Sequence, residues 1–203
     1  VGPAAEVGPA AEGGPIIYDD DYIVEKFVTG LENPTTMTFV GDDILVLEKN
    51  TGKVIRIQDN GVIYNEPVLD VPVIFQHEAG LLGTTSTSNH IYLYFTESPT
   101  GFDKFNHENA RNVVYQYDWN GEKLTNPILI KVLPGHLSIT HHGGVITTGL
   151  NNEIYFVIGD QDQYTAFQNI PEYRIVAPTA YETGSIFKID TESNNSVELF
   201  AMG

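Results

Sequence analysis

Asp43-Ile-Leu-Val-Leu-Glu48 is followed, after a short turn, by Gly52-Lys-Val-Ile-Arg-Ile57, then by Asp59-Asn60-Gly61 and a third apolar run. The same order returns twice. His90-Ile-Tyr-Leu-Tyr-Phe95 precedes Asn112-Val-Val-Tyr-Gln-Tyr117, Trp119-Asn120-Gly121 and Pro127-Ile-Leu-Ile130. Asn152-Glu-Ile-Tyr-Phe-Val-Ile158 precedes Gly184-Ser-Ile-Phe-Lys-Ile189, Ser193-Asn194-Asn195 and Val197-Glu-Leu-Phe200. Each unit reads as a buried strand, a half-alternating strand, an Asn- or Asp-rich turn and an outer strand, because β-branched and aromatic runs bounded by turn formers favour a pleated surface. No stretch sustains a helical apolar period across three turns.

Units of four antiparallel strands, recurring every ~40–50 residues, are the mark of propeller blades. The expected fold is therefore all-β, a β-propeller. A two-sheet sandwich does not predict the three-fold recurrence. Long insertions at 97–111 and 160–183 interrupt the second and third units, and such insertions gather on one face, usually the binding face. Three units with an incomplete start do not close a ring, which takes about four to eight blades. The chain is expected to cover only the first blades of a longer propeller.

Outward from the repeats, residues 1–21 form a separate segment and 22–203 the partial propeller. Residues 1–15 repeat VGPAAE and end in GGP, a run of small residues, Pro and Glu that cannot build a core. The 203 residues are 41% hydrophobic and only 18% charged, the profile of a folded chain. The formal charge of −17 repels phosphate backbones and anionic headgroups, so nucleic acid and membrane surfaces are poor partners. Acidity also suits calcium, although plain solubility accounts for it. There is no cysteine, which removes thiolate metal sites and thiol catalysis. No apolar run reaches bilayer-spanning length, so membrane insertion is not expected, and no signal peptide is visible.

Thr140-His141-His142-Gly143-Gly144-Val145 is the densest chemical signal. Imidazoles beside paired glycines could face a cleft and take a proton from a substrate hydroxyl; they could equally be turn histidines beside glycines that permit positive φ. A metal site is weaker, since strand neighbours point to opposite faces and no third ligand stands nearby. Glu78, ahead of Ala79-Gly80-Leu81-Leu82-Gly83, could face the same cleft or lie in an exposed loop. Gly159-Asp160-Gln161-Asp162 could be a strand-end turn or the start of a cofactor or calcium loop. Asp103–Glu108, with His107, reads as a solvated loop. Phosphate-cradling loops, nucleophile elbows and HExxH motifs are missing from the sequence.

Taken in order, Gly30-Leu-Glu-Asn-Pro-Thr-Thr-Met-Thr-Phe39, Ile44-Leu-Val-Leu-Glu-Lys49 with Gly52, Glu78-x-Gly-Leu-Leu-Gly83, His141-x-Gly-Gly144, Ile154-Tyr-x-x-Ile-Gly-Asp160 and Gly184-x-Ile-x-Lys-Ile189 resemble the glucose/sorbosone dehydrogenase family, most of all its archaeal branch. These are six-bladed quinoproteins that use pyrroloquinoline quinone (PQQ). The resemblance implies that His141 is the general base, taking the sugar C1 hydroxyl proton while hydride passes to the quinone. It implies that Glu78 lines the sugar site and that Asp160 and Gln161 lie by the cofactor. His142 occupies the variable motif position. Thr140 and Val145 stand where glucose-oxidising members carry Asp and Arg. The implied substrate is thus an aldose or related alcohol, with Thr140 in its site.

The implied cofactors are PQQ and Ca²⁺, with most of their ligands, including the cations that neutralise the quinone carboxylates, expected beyond residue 203. The implied partners are the small-molecule substrate and the remaining blades, and the implied location is extracellular or periplasmic. The same family also supplies non-catalytic binding propellers, which is the second reading. A six-bladed calcium-dependent lactonase is a third, less well matched by the order of acidic residues.

Because residues 1–15 lack any apolar side chain larger than valine, their deletion should leave stability within about 0.5 kcal/mol of the parent in chemical denaturation. A larger loss would show that the repeat docks on the folded part.

Overall fold

The computed structural model describes residues 18–19, 21–98, 109–136, 138–161 and 182–202. The VGPAAE repeat and most of the two insertions fall outside them. Three sheets of four antiparallel strands follow one another along the chain. The first contains β1 (Pro34–Val40), β2 (Asp43–Glu48), β3 (Lys53–Ile57) and β4 (Leu69–Asp70). The second contains β5 (Leu81–Ser86), β6 (His90–Glu97), β7 (Arg111–Trp119) and β8 (Leu124–Pro134). The third contains β9 (Ile146–Thr148), β10 (Ile154–Ile158), β11 (Ser185–Asp190) and β12 (Ser196–Met202). Strands in each sheet pair in sequence order, and β1, β5 and β9 lie side by side at the inner edge. This is the propeller arrangement. No described residue lies in an α-helix, and among the described residues no helix is long and apolar enough to cross a membrane.

The repeating unit and the sheet differ by one strand. Each apolar run that opens a unit is the second strand of its sheet; the inner strand before it is shorter or more polar, as in Leu-Leu-Gly-Thr-Thr-Ser of β5. The residues read as an incomplete start supply β1. The insertions are therefore β6–β7 and β10–β11 connections. Among the described residues strand structure begins at Pro34, just after Gly30 and Asn33, whose positive φ (93° and 49°) turns the chain into the first sheet. The third run of the first unit makes only an isolated bridge, Ile57 to Ile63. Its sheet is completed by the two-residue β4, bracketed by Pro67 and Pro72, which have no N–H to donate.

Strand β6 shows why the second strands are continuously apolar. Its alternate residues serve two interfaces at once. Ile91, Leu93 and Phe95 pack with Leu45, Leu47 and Val54 of the first sheet, whereas Tyr92 and Tyr94 pack with Phe156, Ile158 and Phe187 of the third. Phe156 and Phe187 stack with centroids 5.3 Å apart. Sheets one and three each have a second, outer-lying apolar face. On the first, Phe27, Leu31, Met37, Ile44 and Val46 line a groove of about 600 Å³. On the third, Val157, Ile186, Ala201 and Met202 line another of about 480 Å³.

Phe156 is fully buried in the core between sheets two and three. Phe156→Ala should lower the unfolding free energy by about 3–5 kcal/mol, measured by denaturant titration. A cost below 1 kcal/mol, by the same estimate, would mean that this core does not form.

Candidate functional site

An antiparallel sheet puts the start of its first strand and the end of its second strand on the same edge. Glu78 precedes β5, His141 precedes β9, and Asp160 follows β10. All three therefore emerge at one edge, although 82 positions separate Glu78 from Asp160 in the sequence. The turn after β2, with Lys49, opens on that edge too.

His141 is held there from two sides. Its main-chain N–H donates to Glu78 Oε2 at 2.5 Å, and its ring Nδ1 lies 2.6 Å from Asp160 Oδ1. A carboxylate oxygen only accepts, so Nδ1 carries the proton in that contact. In the neutral ring the lone pair then sits on Nε2, the nitrogen across the ring. About half of the His141 side chain is exposed and about a quarter of Asp160. This is the geometry of an oriented base: a carboxylate fixes the tautomer and would stabilise the imidazolium formed when Nε2 takes a proton.

Glycine makes the approach of these segments possible. A Cβ at Gly159 would stand 2.3 Å from the His141 carbonyl oxygen and 2.9 Å from His141 Cβ. A Cβ at Gly143 would stand 2.4 Å from the Val157 oxygen. All three distances are shorter than real Cβ contacts, so the chains meet only because no side chain intervenes. Backbone strain gathers here as well. Among the described residues, non-glycine positive φ angles belong to asparagines, apart from His77 (48°), His141 (57°) and Gln161 (52°). Each costs about 1–2 kcal/mol relative to an ordinary conformation, which the surrounding contacts must offset.

Beneath His141 lies a buried polar layer that ties sheets two and three together. His142 is fully buried, its Nδ1 3.2 Å from Asn112 Oδ1, and its carbonyl accepts the Tyr94 hydroxyl at 2.8 Å. Asn112 Nδ2 donates to the Pro134 carbonyl at 2.7 Å, and Gln161 Nε2 donates to the same oxygen. Thr96 donates to Asn112 Oδ1 at 2.8 Å. Burial pushes the Tyr94 phenol far above its ordinary range, so it acts as a fixed donor.

The structure thus brings Glu78 and Asp160 each into direct contact with His141. Gln161 is buried in the layer below, and Thr140 stands beside Ser138, with the two hydroxyl oxygens 3.1 Å apart. Three features escaped the sequence reading: the Asp160–His141 contact, the Tyr94–Asn112–His142 layer, and Lys49 as a neighbour of Glu78. The positive φ of His141 was foreshadowed only by the glycines after it. No group of three or more His, Cys, Asp or Glu side chains able to hold a metal occurs among the described residues.

Residues 31–195 match the family model described as Glucose / Sorbosone dehydrogenase, which is most of the chain. The chain belongs to that family. Curated protein sequences give no significant match. Solved structures do. A PQQ-bound aldose sugar dehydrogenase from Streptomyces coelicolor is 22% identical, with a TM-score of 0.61 over 84% of this chain and 48% of that one. The apo form of a soluble aldose sugar dehydrogenase from Escherichia coli is 18% identical, with a TM-score of 0.62 over 85% of this chain and 52% of that one. A glucose dehydrogenase is 20% identical, with a TM-score of 0.62 over 80% and 46%. At these identities the likeness shows the shared propeller fold. The chain spans about half the length of these relatives.

Gly159→Ala should force the His141 main chain away from Asp160. The expected result is a stability loss of about 1–3 kcal/mol together with a shifted His141 ring resonance in NMR. An unmoved resonance would show that the two segments are not in contact.

Proposed function

We propose that the protein is a PQQ-dependent dehydrogenase that oxidises an aldose or a related alcohol, with His141 as the base that receives the substrate hydroxyl proton. The observation that carries this reading is the two-sided hold on His141, by Asp160 at Nδ1 and by Glu78 at the main-chain amide. A histidine that only filled a turn would need neither. The family match and the PQQ-bound relative support the cofactor class.

The residues at this edge suit the proton-accepting side of such a site. A cluster of His141, Asp160 and Glu78 offers an oriented base and carboxylate acceptors for sugar hydroxyls, while the carboxylates of the quinone require cations from elsewhere. When bound, the quinone supplies the acceptor for the hydride leaving the sugar C1. Nε2 of His141 takes the hydroxyl proton, and Asp160 stabilises the resulting imidazolium. Glu78, already fixed to the His141 amide through Oε2, has its second oxygen as a further acceptor. Thr140, next to the base, is the residue that sorts substrates. Gln161 acts from below, holding the Asp160 turn against Pro134. Calcium accompanies the cofactor in this reading, and the protein works outside the cytoplasm.

The apolar grooves on sheets one and three are where the remaining blades pack. Two exposed apolar faces at opposite ends of a three-sheet array are what a longer ring would cover. A non-catalytic binding propeller is the other reading; Thr140 and Val145, where glucose-oxidising members carry Asp and Arg, favour it, and the two-sided hold on His141 favours the base.

In the protein reconstituted with PQQ and calcium, His141→Ala should lower dye-linked sugar oxidation by ~10²–10⁴-fold, as removal of a general base does. Thr140→Asp should change the ratio of kcat/KM between sugars more than it changes the best rate. If absorbance titration detects no quinone binding, the dehydrogenase reading is wrong and the binding module replaces it.

A further inference from the structure

Lys49 sits in the turn between β2 and β3, on the first sheet, yet its contacts run to the loop that carries Glu78. Its ammonium Nζ donates to the His77 carbonyl at 2.7 Å and reaches Asn50 Oδ1 at 3.4 Å. Its own carbonyl accepts the Leu81 N–H at 2.9 Å. Gly80 wraps against it so closely, at φ 146°, that a Cβ there would stand 2.6 Å from both Lys49 Cγ and Lys49 O. Lys49 therefore grips both ends of the segment 77–81.

The middle of that segment is the part under strain. Ala79 N–H donates to the Gln76 carbonyl at 2.9 Å, closing a tight turn with His77 at φ 48°. Glu78 N–H then donates to the Ile139 carbonyl at 3.3 Å, and Glu78 Oε2 receives the His141 N–H. The turn is thus stitched to the segment before β9 at two points. Burial draws the Lys49 ammonium below the usual lysine range, and the negative charge of Glu78 opposes that effect.

We propose that Lys49 is a positioning residue: its ammonium pins the left-handed 76–79 turn from the first sheet, and so seats the Glu78 carboxylate on the main-chain amide of His141. The proposal rests on the reading of His141 as the base. It deepens that reading by extending the support of the base to all three sheets. Lys49 itself touches no reacting atom. A methionine in its place keeps the apolar stem and drops the donor, so the His77 carbonyl loses its charged partner and the turn relaxes. Arginine keeps both charge and donor.

The test compares Lys49→Met, Lys49→Gln, Lys49→Arg and His141→Ala in the protein reconstituted with PQQ and calcium, with the His141 amide followed by ¹H–¹⁵N NMR. Lys49→Met should lower kcat by about tenfold or more, since small misplacements of a catalytic group are costly, and should change KM far less. Its His141 amide proton should move upfield as the hydrogen bond to the carboxylate is lost. Lys49→Arg should restore most of both signals, and Lys49→Gln should fall between. The proposal is overturned if the Lys49 variants that fold keep the parent amide shift, whether kcat holds or falls only in step with thermal stability. If the amide moves as expected while His141→Ala retains full activity, the positioning contact stands and it is the assignment of His141 as base that fails.

Discussion

The main chain of Gly83 passes so near the Gly144 carbonyl that a methyl group at Gly83 would sit 1.8 Å from that oxygen. No side chain other than hydrogen fits there, and the site depends on it. Inner strands β5 and β9 can converge only at this spacing, and their convergence carries Glu78, at the head of one, to His141, at the head of the other. The hydrogen bond between Glu78 and the His141 amide is the outcome. Gly159 repeats the device on the far side, letting the end of β10 press against His141 so that Asp160 reaches the ring.

This arrangement needs rigid supports, because a half-exposed histidine in a left-handed conformation would otherwise relax. The supports are the two-sided strands. Leu93 and Phe95 bind β6 to the first sheet, and Tyr92 and Tyr94 bind it to the third. Tyr94 does both kinds of work: its ring is core, and its hydroxyl holds the His142 carbonyl one residue from His141. A fully buried aromatic side chain contributes about 1.5–3 kcal/mol by removal of apolar surface, so it takes several, Tyr92, Tyr94 and Phe95 among them, to offset strain of about 1–2 kcal/mol at each of His77, His141 and Gln161. The polar layer adds direction, since each donor in it has a specific acceptor.

The recurrence of apolar runs and Asn-rich turns made the sheets legible, because period-two alternation and turn chemistry are local properties of the chain. Their boundaries are less so: β5 carries Gly83 and ends in three polar residues, and β9 has only three residues, so these inner strands leave little apolar pattern and the repeat reads one strand late. His141, Glu78 and Asp160 were singled out as residues, but the bond between His141 and Asp160 was not legible. It depends on the left-handed turn at His141, hinted at only by the glycines after it, and on the close pass of Gly159, which leaves no local pattern. Lys49 was hidden for the same reason, since its partner loop lies on the next sheet.

The central claim is that Asp160 fixes the His141 ring so that Nδ1 holds the proton and Nε2 is the base. Long-range ¹H–¹⁵N correlation spectra of protein labelled with ¹⁵N-histidine report the tautomer of each neutral ring directly. Near pH 8, above the ordinary titration of histidine, the account predicts that His141 is the Nδ1–H tautomer and that Asp160→Asn disturbs this preference. A His141 ring found mainly as the Nε2–H tautomer in the parent protein would contradict it.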